Sequence, residues 1–325
     1  DVCSSDLAGA QPRRLGSIAG WTWISVRDKK EVSGYVGGGI VVTPSHTDAD
    51  QAVPAVHCGV AGGLGIYLKR RWVEQTRQQT LWTPLPDARA THDIDSFLAL
   101  EIFQQDRVSR FRGTLARLGY QVHEKARYYQ FIKPVTGVPV DHVKIDLHTR
   151  LPRDDEATQL KLQNHRLGRS GHRAFRTLHA WATPEAFAID EGVQELPFAG
   201  SDPADIRFEG VVRVPHPFAS LCMKLTAAGD YERTPIENRD PLQRKHAFDV
   251  FLLTAMLSES EVSQVSAFTR QFAGHAAMPA ICNDIVRFFG APDAPGCYTL
   301  RGLVQERRAI DLTRFCAVLR ELFAA

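Results

Sequence analysis

The tripeptide Asp93-Ile94-Asp95 is the sequence feature that most constrains the fold of this chain. Side chains at positions i and i+2 of a β-strand point to the same side, so the two carboxylates share one face while Ile94 faces a core. Two like charges held this close repel one another unless a cation or a proton neutralises them. The tripeptide therefore predicts a strand over residues 92–98 that carries a site for a divalent cation. An acidic strand end that faces solvent is the alternative.

Two glycines, Gly62 and Gly63, precede the tripeptide by about thirty residues. They separate a β-prone stretch over residues 53–60 from a helix predicted over residues 64–72. Glycine lets the backbone approach a ligand closely, and the free amides at a helix N-terminus attract phosphate oxygens. The strand, glycine turn and helix therefore predict a phosphate site. A glycine pair that serves only as a tight turn is the alternative.

Length and composition place the chain among globular proteins, because 325 residues with 44% hydrophobic content can bury a full core and form about two domains. The formal net charge of +2 gives a whole-protein field too weak to predict binding to nucleic acid. No apolar run reaches the roughly 18 residues that a membrane span requires, so we expect no transmembrane helix and no signal peptide. The six cysteines form no Cys-x-x-Cys pair, which favours reduced thiols in a cytoplasm over a disulfide framework or a zinc site.

The beginning of the chain differs in character from the remainder. Residues 1–7 read like the translation of a sequencing adapter, and no methionine precedes Met223. We therefore expect the native protein to begin downstream of residue 7. The domains that we predict are a non-native or unassigned segment over 1–55, a sheet-containing core over 56–150, a basic connecting segment over 151–212 and a helical domain over 213–325.

A third carboxylate, Asp146, lies on the polar face of a strand predicted over residues 142–148. In this strand Lys144, Asp146 and His148 alternate with apolar residues. Two-metal phosphoryl transfer uses carboxylates that bridge two magnesium ions, and Asp146 is the natural companion of the tripeptide in such a set. An ordinary surface position on the strand is the alternative.

The other elements form the scaffold. We predict a polar loop over 73–88, a helix over 108–118 closed by Gly119, a strand over 127–133, a capping box at Ser258 and Glu261, and a terminal helix over 310–323. His275, Cys282 and Cys297 lack the spacing of metal ligands.

A local surplus of basic residues follows the third carboxylate. This surplus either contacts the phosphates of a nucleic acid or forms a solvated surface. Its members are Arg150, Arg153, Lys161, His165, Arg166, Arg169, His172, Arg173 and Arg176.

Two charged residues, Lys224 and Asp249, interrupt apolar helices in the C-terminal part. Lys224 either extends to the rim of the helix or reaches an anion. Asp249 requires a partner, because an unpaired buried carboxylate would cost several kcal/mol. We predict Lys224 as that partner and Lys245 as the alternative. A purely structural ion pair between two helices is the other interpretation.

In their order along the chain, these motifs resemble those of the AbiEii-like and MenT-like nucleotidyltransferases, which belong to the polymerase-β-like nucleotidyltransferase superfamily. The resemblance covers roughly residues 56–257 and rests on Gly62-Gly63, on Arg89, Thr91 and Asp93-Ile94-Asp95, on Lys144–Leu147, on Pro217–Leu225 and on Arg244–Val250. It implies an α+β nucleotidyltransferase fold with a small mixed sheet and a C-terminal helical domain. It further implies a magnesium-dependent enzyme that transfers a nucleoside monophosphate from a nucleoside triphosphate to a hydroxyl. A tRNA end is the implied acceptor, and the implied setting is a type IV toxin–antitoxin or abortive-infection system with an antitoxin as partner.

Position by position, the resemblance implies that Gly62 and Gly63 cradle the triphosphate. It implies that Asp93 and Asp95 bind magnesium, while Asp146 completes a site for two ions or acts as a base. The alternatives are transfer to a small molecule such as an antibiotic and a non-catalytic nucleotide-binding or interaction protein on the same fold.

In the helical domain, the resemblance implies that Lys224 contacts the nucleotide phosphates and that Asp249 orients Lys224 or joins catalysis. The chain departs from the family pattern in two respects. Leu64 follows the glycines where a hydroxyl residue often stands, and this weakens the phosphate site. The interval between Gly63 and Asp93 is long, which predicts an added loop near the active site.

Overall fold

The chain forms a mixed α+β structure, in which a mixed β-sheet precedes a bundle of helices. The α+β prediction is therefore confirmed. The structure is a computed structural model that describes residues 25–26, 43–44, 58–88, 93–100, 105–126, 129–134, 142–153, 156, 162–163, 166–167, 178–201, 207–239, 244–304 and 310–324.

Short strands dominate the first two thirds of the described chain, and helices dominate the last third. The strands are β1 (Ser25–Val26), β2 (Thr43–Pro44), β3 (Cys58–Ala61), β4 (Asp93–Leu98), β5 (Gln121–Val122), β6 (Gln130–Pro134), β7 (His142–Arg150), β8 (Leu162–Gln163), β9 (Arg166–Leu167), β10 (Ala180–Thr183), β11 (Gln194–Ser201) and β12 (Arg207–Val214). The helices are α1 (Gly62–Thr76), α2 (Gln105–Arg117), α3 (Pro217–Arg233), α4 (Lys245–Ala255), α5 (Glu259–Gln271), α6 (Met278–Phe289), α7 (Pro295–Val304) and α8 (Leu312–Leu322).

The main sheet has the strand order β3-β4-β7-β10-β9-β8, with β6 also paired to β7 and β5 paired to β6. Strands β4 and β10 run parallel to β7, whereas β3 is antiparallel to β4. The sheet thus continues beyond residue 150 through β8, β9 and β10. Strands β11 and β12 form an antiparallel pair of their own, and β1 and β2 form a parallel pair.

Strand β4 contributes to two hydrophobic cores, because its alternate side chains point to opposite faces. Ile94 and Leu98 pack in one core with Ile145 of β7 and with Phe111 and Leu115 of α2. Phe97 belongs instead to the second core, which is built mainly from α3 to α8. The carboxylate of Asp95, on the same face as Phe97, therefore points towards the side on which the helices lie.

The helix α5 begins with the predicted capping box, in which the hydroxyl of Ser258 accepts a hydrogen bond from the backbone N–H of Glu261. The Glu261 carboxylate also forms a buried ion pair with Lys69 of α1 and accepts a hydrogen bond from Gln194 of β11. This network ties α5 to the sheet-containing part. Among the described residues, no helix is both long enough and apolar enough to cross a bilayer.

The predicted loop over residues 73–88 begins later than expected, because α1 continues to Thr76 with Val73 buried. The segment that follows is fixed to the helices. The backbone N–H of Leu81 donates to the carbonyl of Leu257 over 2.9 Å, and the guanidinium of Arg314 lies 4.4 Å from the ring centre of Trp82.

Other boundaries shift by a few residues. The helix predicted over 108–118 begins at Gln105 and ends at Arg117, and Gly119 after it has a φ of +81°, as expected for a residue that ends a helix. The strand predicted over 127–133 spans Gln130–Pro134, and the terminal helix spans Leu312–Leu322. Apart from β1 and β2, the predicted segment over 1–55 lies outside the described residues.

The cysteine side chains that the structure describes are free thiols, namely Cys222, Cys282, Cys297 and Cys316. The sulfur atoms of Cys297 and Cys316 lie 3.4 Å apart, well beyond the roughly 2.05 Å of a disulfide bond.

Candidate active site

Asp95 and Asp146 are direct neighbours across two parallel strands. The register of β4 and β7 pairs Asp95 with Asp146 and Asp93 with Lys144. Adjacent strands lie about 4.8 Å apart, and paired residues point to the same face, so the structure brings these two predicted carboxylates together. For Asp93 the structure describes the backbone in β4, whereas its side chain lies outside the described part. Its role as a metal ligand stays a prediction.

Gly62 permits the close approach of α1 to this pair. The predicted tight turn is in fact the first residues of α1, and Gly62 has a φ of +61°, which side chains other than glycine rarely adopt. A Cβ atom at Gly62 would lie 1.7 Å from Oδ2 of Asp95. The missing side chain therefore leaves the space that the Asp95 carboxylate occupies. Gly63, the next residue, is buried within the first turn of α1.

His148 is a site residue that the sequence placed on the polar face of its strand without assigning it a role. Its Nε2 lies 3.6 Å from Oδ1 of Asp95, and its Nδ1 lies 3.4 Å from the hydroxyl of Thr183. The imidazole stacks on the ring of Phe97 with their centres 5.2 Å apart. The period-two alternation of β7 predicts the face of His148, whereas its contacts depend on the neighbouring strands β4 and β10.

The environment of Asp95 favours its ionised form. Burial alone raises the pKa of this carboxyl, but the nearby imidazole of His148 and the charges of Lys224 and Lys245 outweigh it and lower the pKa to about 2. Asp95 is therefore negatively charged at neutral pH. The two lysines belong to α3 and α4, so the helical part contributes positive charge to the carboxylates of the sheet.

Asp146 has one oxygen with a partner and one without. Its Oδ2 lies 2.9 Å from Nζ of Lys144, while its buried Oδ1 has no hydrogen-bond partner among the described residues. Burial raises the pKa of Asp146, and the charge of Asp95 adds to this effect, although Lys144 and His148 oppose it. A buried acceptor without a donor is costly and marks a position where a ligand is expected.

The predicted partner of Asp249 is correct. Nζ of Lys224 lies 2.8 Å from Oδ2 of Asp249, and the Asp249 side chain is 1% exposed. Lys245, the alternative partner, lies at the start of α4 and acts electrostatically on Asp95.

The residues present fit a divalent cation in three respects. The donors are carboxylate oxygens, which magnesium and manganese prefer. Oδ1 of Asp146 is buried without a donor, and the Asp95 carboxylate, for which Gly62 leaves space, is ionised at neutral pH. Within the part of the chain that the structure describes, no group of three or more His, Cys, Asp or Glu side chains is arranged to hold a metal. The described pair would therefore need Asp93 or a bound substrate to complete the coordination.

A cleft of about 450 Å³ lies farther along the same face of the sheet. Its lining includes Phe97, which follows Asp95 by two residues on β4 and therefore lies on the same face. Its charged lining combines three guanidinium groups with three carboxylates, from Arg150, Arg153, Arg213, Glu156, Asp190 and Glu195.

The basic surplus is described only in part. Arg150 bonds to Glu156 and Asp190, both over distances of 2.5–2.7 Å, and its charge is thereby neutralised inside the protein. Arg166 lies in β9. The side chains from Lys161 to Arg176 lie outside the described part, so their contact with nucleic acid stays a prediction.

Comparison with known proteins gives only distant likenesses. No family model matches the sequence, and no curated protein matches it significantly. Among solved structures, the antibiotic-resistance factor ANT(2'')-Ia is 14% identical over 67% of this chain and 85% of that chain, with a TM-score of 0.30. A nucleotidyltransferase-like protein from Paracoccidioides brasiliensis, described as antigenic, is 10% identical over 81% of this chain and 85% of that chain, with a TM-score of 0.33.

Proposed function

We propose that this protein is a magnesium-dependent nucleotidyltransferase on a polymerase-β-like fold. The observation that carries the proposal is the pairing of Asp95 with Asp146 on parallel strands, with a buried, unpartnered oxygen on Asp146. The two carboxylates lie on one face of the sheet, and the positive charges of Lys224 and Lys245 act on Asp95. This combination suits a substrate that consists of a divalent cation and a polyphosphate. The reaction transfers a nucleoside monophosphate from a nucleoside triphosphate to a hydroxyl and releases pyrophosphate.

In this proposal Asp93 and Asp95 would hold magnesium, and Asp146 would either complete a site for two ions or act as a base. Bound magnesium lowers the pKa of an attacking hydroxyl and neutralises charge on the phosphates. The ionised state of Asp95 at neutral pH supports its role as a ligand. Gly62 and Gly63 lie at the N-terminus of α1, where backbone amides favour phosphate oxygens.

The chain's own groups account for the movement of the proton. The acceptor oxygen forms a bond to the α-phosphorus while the bond from that phosphorus to the pyrophosphate oxygen breaks. The acceptor loses its proton to a base, and Asp146 is the candidate because Oδ1 is unpartnered and its pKa is raised by burial and by the charge of Asp95. A ligand role for Asp146 is the alternative.

Lys224 is the candidate for contact with the nucleotide phosphates, and Asp249 orients it. The ion pair holds the ammonium in one place, and its positive charge acts on Asp95. Lys224 can thus contact both an anion and Asp249, since an ammonium group has three donors.

An RNA, in particular a tRNA end, is the first acceptor to test. In this version of the proposal the protein is the toxin of a type IV toxin–antitoxin or abortive-infection system, and an antitoxin is its partner. The support for RNA is the density of basic residues between 150 and 176. An adjacent gene for a small DNA-binding antitoxin would support the toxin role.

A small hydroxyl-bearing acceptor is the second candidate. It is favoured by the cleft beyond Phe97, whose three guanidinium groups are matched by three carboxylates and which therefore lacks the excess of positive charge that a phosphate backbone requires. Its volume, about 450 Å³, is in the range of small-molecule sites.

The test is incubation of the protein with each α-labelled nucleoside triphosphate, magnesium and total RNA, and separately with a panel of aminoglycosides as small acceptors. We expect label transfer by the wild type and a loss of at least about a hundredfold in Asp95→Ala, because a ligand carboxylate is removed. Asp293→Ala is the matched control, since this carboxylate is exposed on the turn before α7.

The result of this assay separates the candidates. Label on RNA supports the first acceptor, and label on an aminoglycoside supports the second. Absence of transfer to either, or transfer that survives in Asp95→Ala, contradicts the catalytic proposal and leaves the non-catalytic nucleotide-binding protein.

A further inference from the structure

We propose that Lys144 is a resident cation of the carboxylate pair and that its contact with Asp146 lowers the affinity of the pair for a divalent ion. The inference rests on the proposed function, because it concerns the same carboxylates. It adds a residue whose charge sets the affinity of the site for metal.

The position of Lys144 follows from the strand geometry. Lys144 and Asp146 stand two residues apart on β7 and therefore share a face. The register of the sheet places Lys144 opposite the backbone of Asp93 and Asp146 opposite Asp95. Lys144 therefore stands on the same two strands, and at adjacent paired positions, as the predicted metal ligands Asp93, Asp95 and Asp146.

The ammonium group makes a contact that a metal would otherwise make. Nζ of Lys144 lies 2.9 Å from Oδ2 of Asp146, and the side chains of the two residues are 26% and 14% exposed. Solvent screening is therefore incomplete, and the attraction is stronger than for a pair on the open surface. Oδ1 of the same carboxylate has no partner among the described residues, so the lysine satisfies only half of the group.

The two positions of the lysine have different consequences for charge. While Lys144 is bound to Asp146, one of the carboxylates is neutralised and the pair attracts a divalent ion less strongly. When an ion takes the carboxylate, repulsion between the ion and the ammonium group favours movement of the flexible lysine side chain away from it. Lys144 consequently lowers the affinity of the nucleotide-free protein for metal.

The experiment measures the binding of Mn²⁺ alone, by the loss of the free-ion signal in electron paramagnetic resonance, without nucleotide. We expect Lys144→Met to bind Mn²⁺ at least about tenfold more tightly than the wild type, which corresponds to about 1.4 kcal/mol. Lys144→Arg keeps the positive charge and should stay within about threefold of the wild type. Lys125→Met is the matched control, because Lys125 is exposed and lies outside the site.

A second measurement separates this role from a purely structural ion pair. The rise in the thermal midpoint on addition of Mn²⁺ should be larger in Lys144→Met than in the wild type, since tighter binding to the folded state gives more stabilisation. A structural role alone lowers the midpoint in the variant without enlarging the rise.

Two results overturn the inference. They are an unchanged or weaker Mn²⁺ affinity in Lys144→Met, and an equal gain in Lys125→Met. The proposed function is judged separately, by label transfer in the wild type and Asp95→Ala. Transfer that depends on Asp95 together with an unchanged affinity in Lys144→Met removes the inference and keeps the function. Tighter Mn²⁺ binding in Lys144→Met without any transfer keeps the inference and removes the function.

Discussion

The ammonium nitrogen of Lys224 lies 2.8 Å from Oδ2 of Asp249, and the pair joins α3 to α4 with both side chains largely shielded from water. The same lysine contributes positive charge at Asp95, on β4 of the sheet. One residue thus connects the interior of the helical part with the carboxylates of the candidate active site. This arrangement allows the structural and functional roles of the pair to be separated by substitution.

Lys224→Met should destabilise the protein by about 3–5 kcal/mol, because it removes the ammonium group that lies 2.8 Å from the buried Asp249 carboxylate. The double variant Lys224→Met/Asp249→Leu should recover most of this loss, since it removes both charges and replaces them with apolar groups. Urea denaturation followed by circular dichroism measures both changes.

Label transfer by the recovered double variant then decides the role of the pair. We expect the double variant to transfer no label, because it lacks the ammonium group proposed to bind the nucleotide phosphates. Transfer near the wild-type level in a stable double variant would show that the pair is purely structural.

Gly62→Ala should abolish label transfer and weaken Mn²⁺ binding. The new Cβ would stand 1.7 Å from Oδ2 of Asp95, and a φ of +61° is strained for alanine by roughly 1–2 kcal/mol. Gly113→Ala is the matched control. Gly113 lies in α2, and a Cβ there meets nothing within 4 Å. We therefore expect Gly113→Ala to raise the free energy of unfolding by about 0.5–1 kcal/mol.

Urea denaturation and Mn²⁺ titration of both glycine variants check this prediction. A Gly62→Ala protein with unchanged transfer and metal affinity would mean that the Asp95 carboxylate does not need its observed position.

The sequence was sufficient to predict the faces of Asp95 and Asp146, because the period of a strand is a local property of the chain. It was not sufficient to predict that the two residues pair directly. Roughly fifty residues separate them, and their register depends on β4 and β7 lying side by side in the sheet. The Lys224–Asp249 pair was predicted because a buried carboxylate in an apolar helix requires a cation.

The effects of His148 and Lys245 on the pKa of Asp95 could not be predicted from the sequence for a related reason. The contact of His148 arises between neighbouring strands, and the field of Lys245 arises between the sheet and α4. Gly62 was expected to form a turn, and its importance depends on the side chain of a residue in another strand. Local sequence patterns predict which face of a strand a residue occupies and where a helix ends. The contacts within the site depend instead on how the strands and helices pack against one another.

Acid should weaken the contribution of Asp95 to stability. Burial alone raises the pKa of Asp95, but His148, Lys224 and Lys245 lower it to about 2, below the pKa of 3.8 expected for the unfolded chain. A carboxyl with a lowered pKa stabilises the fold above the unfolded value, and this contribution is lost as the pH falls from about 3.8 through about 2.

The free energy of unfolding of the wild type minus that of Asp95→Asn should therefore stay constant between pH 7 and pH 5 and decrease below about pH 4. Urea denaturation at each pH without metal measures this difference, and Asp293→Asn serves as the control. A difference that grows as the pH falls below 4 would mean that the positive groups do not act on Asp95.

Asp146→Asn should be at least as stable as the wild type in the absence of metal, although it removes a carboxylate of the proposed site. Burial and the charge of Asp95 raise the pKa of Asp146, so its ionised form destabilises the metal-free fold at neutral pH despite the contact with Lys144. For the same reason, protonation of Asp146 raises the free energy of unfolding of the wild type as the pH falls through the raised pKa of this group.

Excess magnesium should raise the thermal midpoint of the wild type and leave that of Asp146→Asn nearly unchanged, because a metal that binds the folded state stabilises it only where its ligands are present. Scanning calorimetry with EDTA and with magnesium compares the two proteins. A variant that is strongly destabilised with EDTA would assign Asp146 a structural role, whereas a stable variant that no longer responds to magnesium is expected of a residue kept for function at the expense of stability.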